Sequence, residues 1–169
     1  MVVLKEVFVR QERCLGCKSC ELACAVAHSR SGNLFASLGE SQSPRKRIYA
    51  DYWQGSNFII NCRHCEEPLC ARVCPTHAIC KDSASGKVVQ AYERCIGCGM
   101  CQLACPFGVI SRYLESKKTV KCDGCPDRET PACVVACPTR ALLYVDSEEL
   151  MQGKRQVVAQ QLLNQGSAI

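Results

Sequence analysis

Residues 95–106 read Cys-Ile-Gly-Cys-Gly-Met-Cys-Gln-Leu-Ala-Cys-Pro, and this stretch decides how the rest of the chain is interpreted. Its four cysteines follow the spacing C-x2-C-x2-C-x3-C, with a proline directly after the fourth. The two-residue gaps curl the backbone so that three sulfurs can converge, and Gly97 permits a tight approach. Cys101 and Cys105 lie four residues apart, so they share one face of a short helix that Pro106 would end.

The same unit occurs four times along the chain, and it uses sixteen of the seventeen cysteines. The first and third units share one spacing, whereas the middle gap widens to four residues in the second unit and to seven in the fourth. Proline follows the last cysteine in three units, and Ala25 takes its place in the first. In chain order the units are Cys14, Cys17, Cys20 and Cys24; Cys62, Cys65, Cys70 and Cys74; Cys95, Cys98, Cys101 and Cys105; and Cys122, Cys125, Cys133 and Cys137.

Thiolates in this arrangement are typical of [4Fe–4S] clusters, in which the fourth cysteine of such a run ligates the neighbouring cluster. A tetrahedral zinc site has no use for a third thiol two residues after a C-x-x-C pair, so structural zinc is the weaker alternative. Disulfides are weaker still, because the N-terminus is charged by Lys5 and Glu6 and lacks the apolar core of a secretion signal. All sixteen ligand positions are cysteine, so we expect four complete [4Fe–4S] clusters in a cytoplasmic protein.

Charge and composition argue against several other classes of function. The formal net charge is +5, but four oxidised clusters with their thiolates would change it to about −3, which removes the case for a nucleic-acid partner. No apolar run is long enough to give a direct membrane span. No G-x-G-x-x-G motif and no nucleophile–base grouping stands out, so we expect a non-catalytic redox subunit.

The order of the units, the widened second and fourth units and the Cys-Pro tails resemble the iron–sulfur subunits of the formate dehydrogenase, hydrogenase and dimethyl sulfoxide reductase group. This resemblance covers roughly residues 1–146. Within it, Cys-Glu-Leu-Ala-Cys-Ala-Val-Ala-His at 20–28 and Cys-Arg-His-Cys-Glu-Glu at 62–67 most resemble the electron-transfer subunit of carbon monoxide dehydrogenase.

The resemblance implies an anaerobic electron-transfer subunit with a catalytic redox partner. The first candidate donor of low-potential electrons is carbon monoxide dehydrogenase, and the acceptor would be a hydrogenase or an NAD(P)-linked flavoenzyme. The alternative is the electron-transfer subunit of a hydrogenase or formate dehydrogenase complex.

The resemblance also implies a ligand scheme in which the first unit shares its clusters with the fourth, and the second with the third. The implied sets are Cys14, Cys17 and Cys20 with Cys137; Cys122, Cys125 and Cys133 with Cys24; Cys62, Cys65 and Cys70 with Cys105; and Cys95, Cys98 and Cys101 with Cys74. The implied fold is α+β, with two bacterial-ferredoxin-like modules, the inner one inserted in the outer. Small, short-stranded sheets, short helices and a C-terminal helix complete it.

The chain divides accordingly into four parts. The outer module takes residues 1–33 and 114–146, an insertion loop takes 34–56, the inner module takes 57–113, and a C-terminal helical extension takes 147–169.

Short β-like runs lie between the cysteine units. They predict strands at 7–9, 58–60, 88–89 and 142–145, with a further candidate strand at 48–53. Asp146 would cap the C-terminal helix, with Glu149 three residues later.

Four residues outside the ligand set carry weaker signals. Cys80, the odd thiol, is interpreted as a small buried hydrophobic residue. His64 takes the place of a loop glycine, and an ordinary surface imidazole is favoured over a residue that tunes a cluster by hydrogen bonding. No special role is predicted for His28 or His77.

Residues 34–56 offer two candidate contacts for a partner. The basic run 45–47 is interpreted as a solvated loop rather than as a docking element for an acidic partner. Tyr52 and Trp53 are equally compatible with an interface and with a small core.

Overall fold

The computed structural model describes residues 5–166, which form eight short strands and six helices. The strands are β1 (Lys5–Val9), β2 (Ile48–Trp53), β3 (Ser56–Asn61), β4 (Ile79–Lys81), β5 (Val88–Gln90), β6 (Ser111–Arg112), β7 (Thr119–Val120) and β8 (Leu142–Asp146). The helices are α1 (Ser19–Ala27), α2 (Leu34–Ser37), α3 (Leu69–Arg72), α4 (Met100–Ala104), α5 (Ala132–Val135) and α6 (Ser147–Gly166), with 3₁₀ turns at Gln11–Arg13 and Tyr92–Arg94. Residues 1–4 and 167–169, at the ends of the predicted outer module and C-terminal extension, lie outside the described part.

The strands pair into four antiparallel sheets of two strands each. Three of these are hairpins between consecutive strands, β2–β3, β4–β5 and β6–β7. The fourth joins β1 to β8, with Val7 opposite Tyr144, so the first strand closes against the last one and encloses the other sheets in sequence. The five strands predicted from the sequence are all present, and the α+β class with small sheets and a C-terminal helix is confirmed.

The apolar core consists of two parts, and each part combines two cysteine units. One contains Cys20 and Cys24 from the first unit with Cys133 from the fourth, and Leu142 packs with them. The other contains Cys101, from the third unit, packed against Cys70 and Cys74 of the second, among others. This packing supports the nested division into an outer and an inner module, which remains a prediction.

The segment predicted as an insertion loop contributes to the outer core. It contains α2 and β2, and Ile48 and Ala50 of β2 are almost completely buried there. A tight turn at Gln54 and Gly55, both with positive φ, leads from β2 into β3, as is typical of two-residue hairpins. The predicted boundary between residues 56 and 57 therefore falls inside a hairpin.

The C-terminal helix begins where the sequence indicates. The carboxylate of Asp146 accepts hydrogen bonds from the backbone N–H groups of Glu148 and Glu149, at 2.9 and 3.1 Å, which confirms the predicted cap. Within the described part of the chain, no helix combines the length and apolar character needed to cross a lipid bilayer.

Candidate iron–sulfur centres

A common backbone feature shapes the loop of every cysteine unit. The residue before the second cysteine has a positive φ in all four units, at 67° for Gly16, 45° for His64, 72° for Gly97 and 77° for Gly124. This conformation turns the chain back toward its first sulfur, and in the first unit the N–H of Gly16 donates to Cys14 Sγ at 3.4 Å. Glycine adopts it without a steric penalty, so only His64 is under strain at this position.

The pKa shifts in the predicted outer module indicate two thiol groups that mix the first and fourth units. Burial raises the pKa of Cys20 to about 11, and the nearby charges of Cys137 and Cys17 add to this effect. All seventeen cysteines are free thiols. The Cys20 thiol therefore lies near Cys137, a cysteine of the fourth unit, which fits the implied ligand scheme.

The second outer group is centred on Cys133. Burial raises the pKa of its thiol, and the charges of Cys24, Cys122 and Cys125 raise it further. Three of these thiols come from the fourth unit, and Cys24 comes from the first. This grouping supports one set of the implied scheme, which remains a proposal.

The inner module repeats this exchange between the second and third units. Burial raises the pKa of the Cys70 thiol, and the charges of Cys62 and Cys105 also raise it. Cys70 thus has its thiol neighbours in both units. Cys105 is the cysteine that the scheme assigns to this set.

The last group is assembled around the third unit. Burial raises the pKa of Cys101, with further contributions from the charges of Cys95 and Cys98. For Cys95, burial and the charge of Cys74 raise the pKa, but hydrogen bonds with Thr119 and Gly97 outweigh them and lower it.

Neighbouring groups are also close to one another. We call the four predicted cluster sites A (Cys14, Cys17, Cys20, Cys137), B (Cys24, Cys122, Cys125, Cys133), C (Cys62, Cys65, Cys70, Cys105) and D (Cys74, Cys95, Cys98, Cys101). The charge of Cys20 in site A raises the pKa of Cys133 in site B, and the charge of Cys62 in site C raises that of Cys122 in site B. Sites C and D share the inner core. These relationships support the order A, B, C, D for the four predicted sites, and this order remains a proposal.

The donor set fits [4Fe–4S] clusters. Burial raises the pKa of Cys122 to about 12, and repulsion from the nearby thiolates of Cys62 and Cys24 adds to this effect. A cationic iron–sulfide core would remove that repulsion and displace the thiol protons. When bound, each cluster takes up and gives back one electron.

A buried lysine lies between sites B and C. Lys121 is only 2% exposed, and its ammonium donates to the carbonyl oxygens of Val88 and Cys122. Its charge lowers the pKa of both Cys122 and Cys70, against the larger effect of burial. A buried cation at this point offsets the negative charge of thiolates on both sides.

Site B has a polar surround that the sequence did not reveal. The Nδ1–H of His28 donates to the carbonyl oxygen of Cys24 at 2.7 Å and lies 3.7 Å from Cys24 Sγ, while Nε2–H donates to Asp123 Oδ1 at 3.1 Å. Burial alone would lower the pKa of His28, but hydrogen bonds with Asp123, Cys125 and Cys24 raise it to about 12. The sequence indicates no special role for His28, but the structure places its imidazole between Cys24 and Asp123. Its position four residues after Cys24 was the available signal, because residues at that spacing meet on one helix face.

His64 is also more than a surface imidazole. Its side chain is half-buried, and Nδ1 accepts a hydrogen bond from the N–H of Val88 in β5 at 3.0 Å. Burial lowers the pKa of His64 to about 4, with help from the charges of Lys121 and Lys87. His64 is therefore a neutral residue that ties the loop of site C to the inner sheet, and the interpretation as an ordinary surface residue is wrong. His77, by contrast, is exposed.

The basic run 45–47 is bound to the outer module rather than solvated. Lys46 pairs with the buried carboxylate of Glu21 at 2.6 Å, and the guanidinium of Arg47 pairs with Asp123. The backbone N–H of Arg47 also donates to Cys24 Sγ at 3.3 Å. These contacts hold the start of β2 against α1 and site B, so the solvated-loop interpretation is wrong.

Two other expectations about side chains are settled by exposure. Cys80 is exposed, so its interpretation as a buried residue is wrong. Tyr52 and Trp53 are both 68% exposed, which excludes the small-core alternative.

Comparison with known proteins identifies the family. The 4Fe-4S dicluster domain matches residues 56–147, and a 4Fe-4S binding domain matches residues 11–27. These matches confirm the prediction of four [4Fe–4S] clusters over the zinc alternative. The assignment of individual cysteines to clusters remains a proposal.

Three curated relatives, all from Escherichia coli, match most of the chain. The putative electron transport protein YsaA is 41% identical over 144 residues, which is 83% of this chain and 88% of YsaA. The probable anaerobic dimethyl sulfoxide reductase chain YnfG is 40% identical over 164 residues, covering 86% and 75% of the two chains. The electron transport protein HydN is 37% identical over 158 residues, covering 83% and 87%. The chain therefore belongs to the family of ferredoxin-like [4Fe–4S] electron-transfer proteins and subunits.

Proposed function

We propose that this chain is a non-catalytic subunit that relays low-potential electrons from carbon monoxide dehydrogenase to a hydrogenase or an NAD(P)-linked flavoenzyme. The observation that supports the relay is the closeness of thiols from neighbouring groups, which fits an order with sites A and D at the two ends and B and C between them. The relatives YsaA and HydN are named as electron transport proteins and YnfG as a reductase chain, which supports a redox partner. The choice of carbon monoxide dehydrogenase rests on the resemblance at residues 20–28 and 62–67. The cytoplasmic location predicted from the sequence suits ligands that must stay reduced.

The two end sites are the ones that open to the surface. Among the sixteen predicted ligands, only Cys17 of site A and Cys98 of site D are exposed. Electrons can enter and leave a protein only where a cluster comes close to the surface. Sites A and D are therefore the proposed points of exchange with the two partners.

An apolar side chain lies beside each of these exposed thiols. Leu15 in the loop of site A and Ile96 in the loop of site D occupy the same position of their units, and both are 68% exposed. The corresponding residues at sites C and B are polar, Arg63 and Asp123. At this position, therefore, only the two end sites have an exposed apolar residue. Such a residue is one that a partner would cover.

Further apolar residues extend both surfaces. Near site A, Leu22 of α1 and Val135 of α5 line an open groove and are more than half exposed. Near site D, Leu103 of α4 is 86% exposed and Met100 is 47% exposed. Apolar patches of this kind on a polar surface are typical of protein interfaces.

Reduction assays with purified partners test the proposal. The whole chain, reconstituted without oxygen, is mixed with carbon monoxide dehydrogenase and CO, with a hydrogenase and H2, or with formate dehydrogenase and formate. Fast bleaching of the cluster absorbance by CO with its dehydrogenase supports the proposed donor. Reduction only by H2 or formate assigns the chain to the alternative complex, and no reduction by any partner contradicts the relay.

A further inference from the structure

In the described part of the chain, site B is the one predicted cluster site with a histidine, an aspartate and an arginine arranged against its thiols. We propose that His28 is a positioning residue that raises the reduction potential of the cluster at site B. This inference rests on the ligand assignment within the proposed function, but it does not depend on which partners the chain serves.

The hydrogen bonds of the imidazole define its charge. Nδ1 faces the carbonyl oxygen of Cys24 at 2.7 Å, and Nε2 faces a carboxylate oxygen of Asp123 at 3.1 Å. Both partners are acceptors only, so both ring nitrogens donate and His28 is an imidazolium. Its Nδ1 edge also lies 3.7 Å from Cys24 Sγ, a predicted cluster ligand.

Asp123 is held in place by several donors. Besides His28, the guanidinium of Arg47 donates to its second oxygen, and the N–H of Cys125 donates to Oδ1 at 2.9 Å. One ligand atom each from His28, Asp123 and Cys125 lies within 4.8 Å of the others, which is also a spacing that a single metal ion could use. The three donors to Asp123 and the predicted role of Cys125 in site B favour a hydrogen-bonded group over a separate metal site. We call this group of His28, Asp123 and Arg47 the bracket.

The bracket carries a net positive charge beside two thiolates. It contains the cations His28 and Arg47 and the anion Asp123. Reduction adds negative charge to a cluster, and nearby positive charge and hydrogen bonds to sulfur stabilise the reduced form. The bracket therefore favours an electron on site B.

The other units have no equivalent group. Four residues after the last cysteine, where the first unit has His28, the other units have Ala78, Val109 and Ala141. All three are apolar residues that are almost completely buried. The predicted effect is thus specific to one of the two middle sites of the row.

The test is an EPR-monitored redox titration of the anaerobically reconstituted whole chain. His28→Gln removes the charge and keeps the size and polarity of the side chain roughly similar. We expect the reduction potential of one cluster to fall. At a fixed potential, its ratio of reduced to oxidised form should fall about tenfold, which corresponds to 59 mV for a one-electron couple. The other three signals should not move. The signal that Cys24→Ser removes or alters identifies the site.

Matched variants separate a charge effect from a structural one. His28→Lys restores a cation and should recover part of the potential, while His77→Gln makes the same exchange at an exposed histidine and should change nothing. If His28→Gln fails to retain the cluster, Arg47→Gln decides, because it removes a cation and keeps the backbone hydrogen bond to Cys24 Sγ.

An unchanged site B potential, or an equal shift of all four signals, would overturn the role of His28 and leave the relay itself standing. Dependence of the effect on an added divalent cation would instead favour a separate metal site and also overturn it.

Discussion

Cys122 and Cys62 belong to different predicted modules, yet their thiols are close enough for the charge of Cys62 to raise the pKa of Cys122. In the proposed row of four clusters, this closeness would connect site B to site C. Lys121 supplies a buried positive charge at the same place.

The exchange of ligands between units predicts an unusual effect of mutation. Cys24→Ser should alter the same EPR signal as Cys122→Ser, although the two residues are far apart in sequence, because both thiols belong to the group around Cys133. Cys14→Ser, in the same unit as Cys24, should alter a different signal. Identical changes in Cys24→Ser and Cys14→Ser would contradict the ligand scheme.

The loop of site D should not tolerate a side chain at Gly97. This residue has a φ of 72°, and a Cβ there would lie 2.7 Å from the carbonyl oxygen of Lys117. The positive φ alone costs roughly 1–2 kcal/mol for alanine, and the backbone collision adds to that. We expect Gly97→Ala to lower the stability against denaturant and to lose iron.

Gly55→Ala provides the control for this change. Gly55 also has a positive φ, at 85°, but a Cβ at that turn would meet no described atom within 4 Å. The variant should lose stability against denaturant by the conformational cost alone, and it should keep its full iron content. Equal losses in the two variants would argue against the collision.

The ion pair between Glu21 and Lys46 should contribute to the stability of the outer module. Glu21 is 8% exposed, and one carboxylate oxygen accepts from Lys46 Nζ at 2.6 Å and from the N–H of Ala50 at 2.7 Å. Glu21→Ala leaves the buried N–H without a partner, which costs about 1–3 kcal/mol. Urea denaturation of the reconstituted protein measures the difference.

The exposed pair between Arg155 and Glu148 on α6 is a matched comparison. Both side chains are more than 60% exposed, so Glu148→Ala should change the free energy of unfolding by less than about 1 kcal/mol. A larger loss in Glu148→Ala than in Glu21→Ala would contradict the ranking of the two pairs.

The two ends of the row should have separate partners. Leu15→Glu should slow exchange with one partner and Ile96→Glu with the other, each by about tenfold or more if the side chain is central to the interface. Both variants should keep four clusters. Stopped-flow reduction and reoxidation measure the two steps, and Leu162→Glu on the exposed part of α6 is the control. Slowing of the same step by both variants would contradict separate docking surfaces.

The sequence predicts the cysteine units and five of the eight described strands because these depend on local spacing, and it misses β4, β6 and β7, which have only two or three residues each. Cys80 shows the limit of that approach. Side chains alternate along a strand, so Ile79 is buried and its neighbour Cys80 points outward. Cys80 stays exposed because the sheet has only two strands and its outer face is open. A pattern of single residues does not show what covers a sheet.

The polar surround of site B could not be predicted for a different reason. His28 and Asp123 are separated by 95 residues, and the role of Arg47 depends on the same carboxylate. Such contacts arise from the packing of the first unit against the fourth. The spacing of the cysteines carries no information about them.

Iron and sulfide analysis, combined with an EPR titration of the purified whole chain under anaerobic conditions, shows whether the chain holds a row of four clusters. We expect about sixteen iron and sixteen sulfide per chain and four one-electron centres, with magnetic coupling between neighbours in the fully reduced protein. About eight iron per chain, with the thiols of one module open to alkylation, would contradict a row of four clusters.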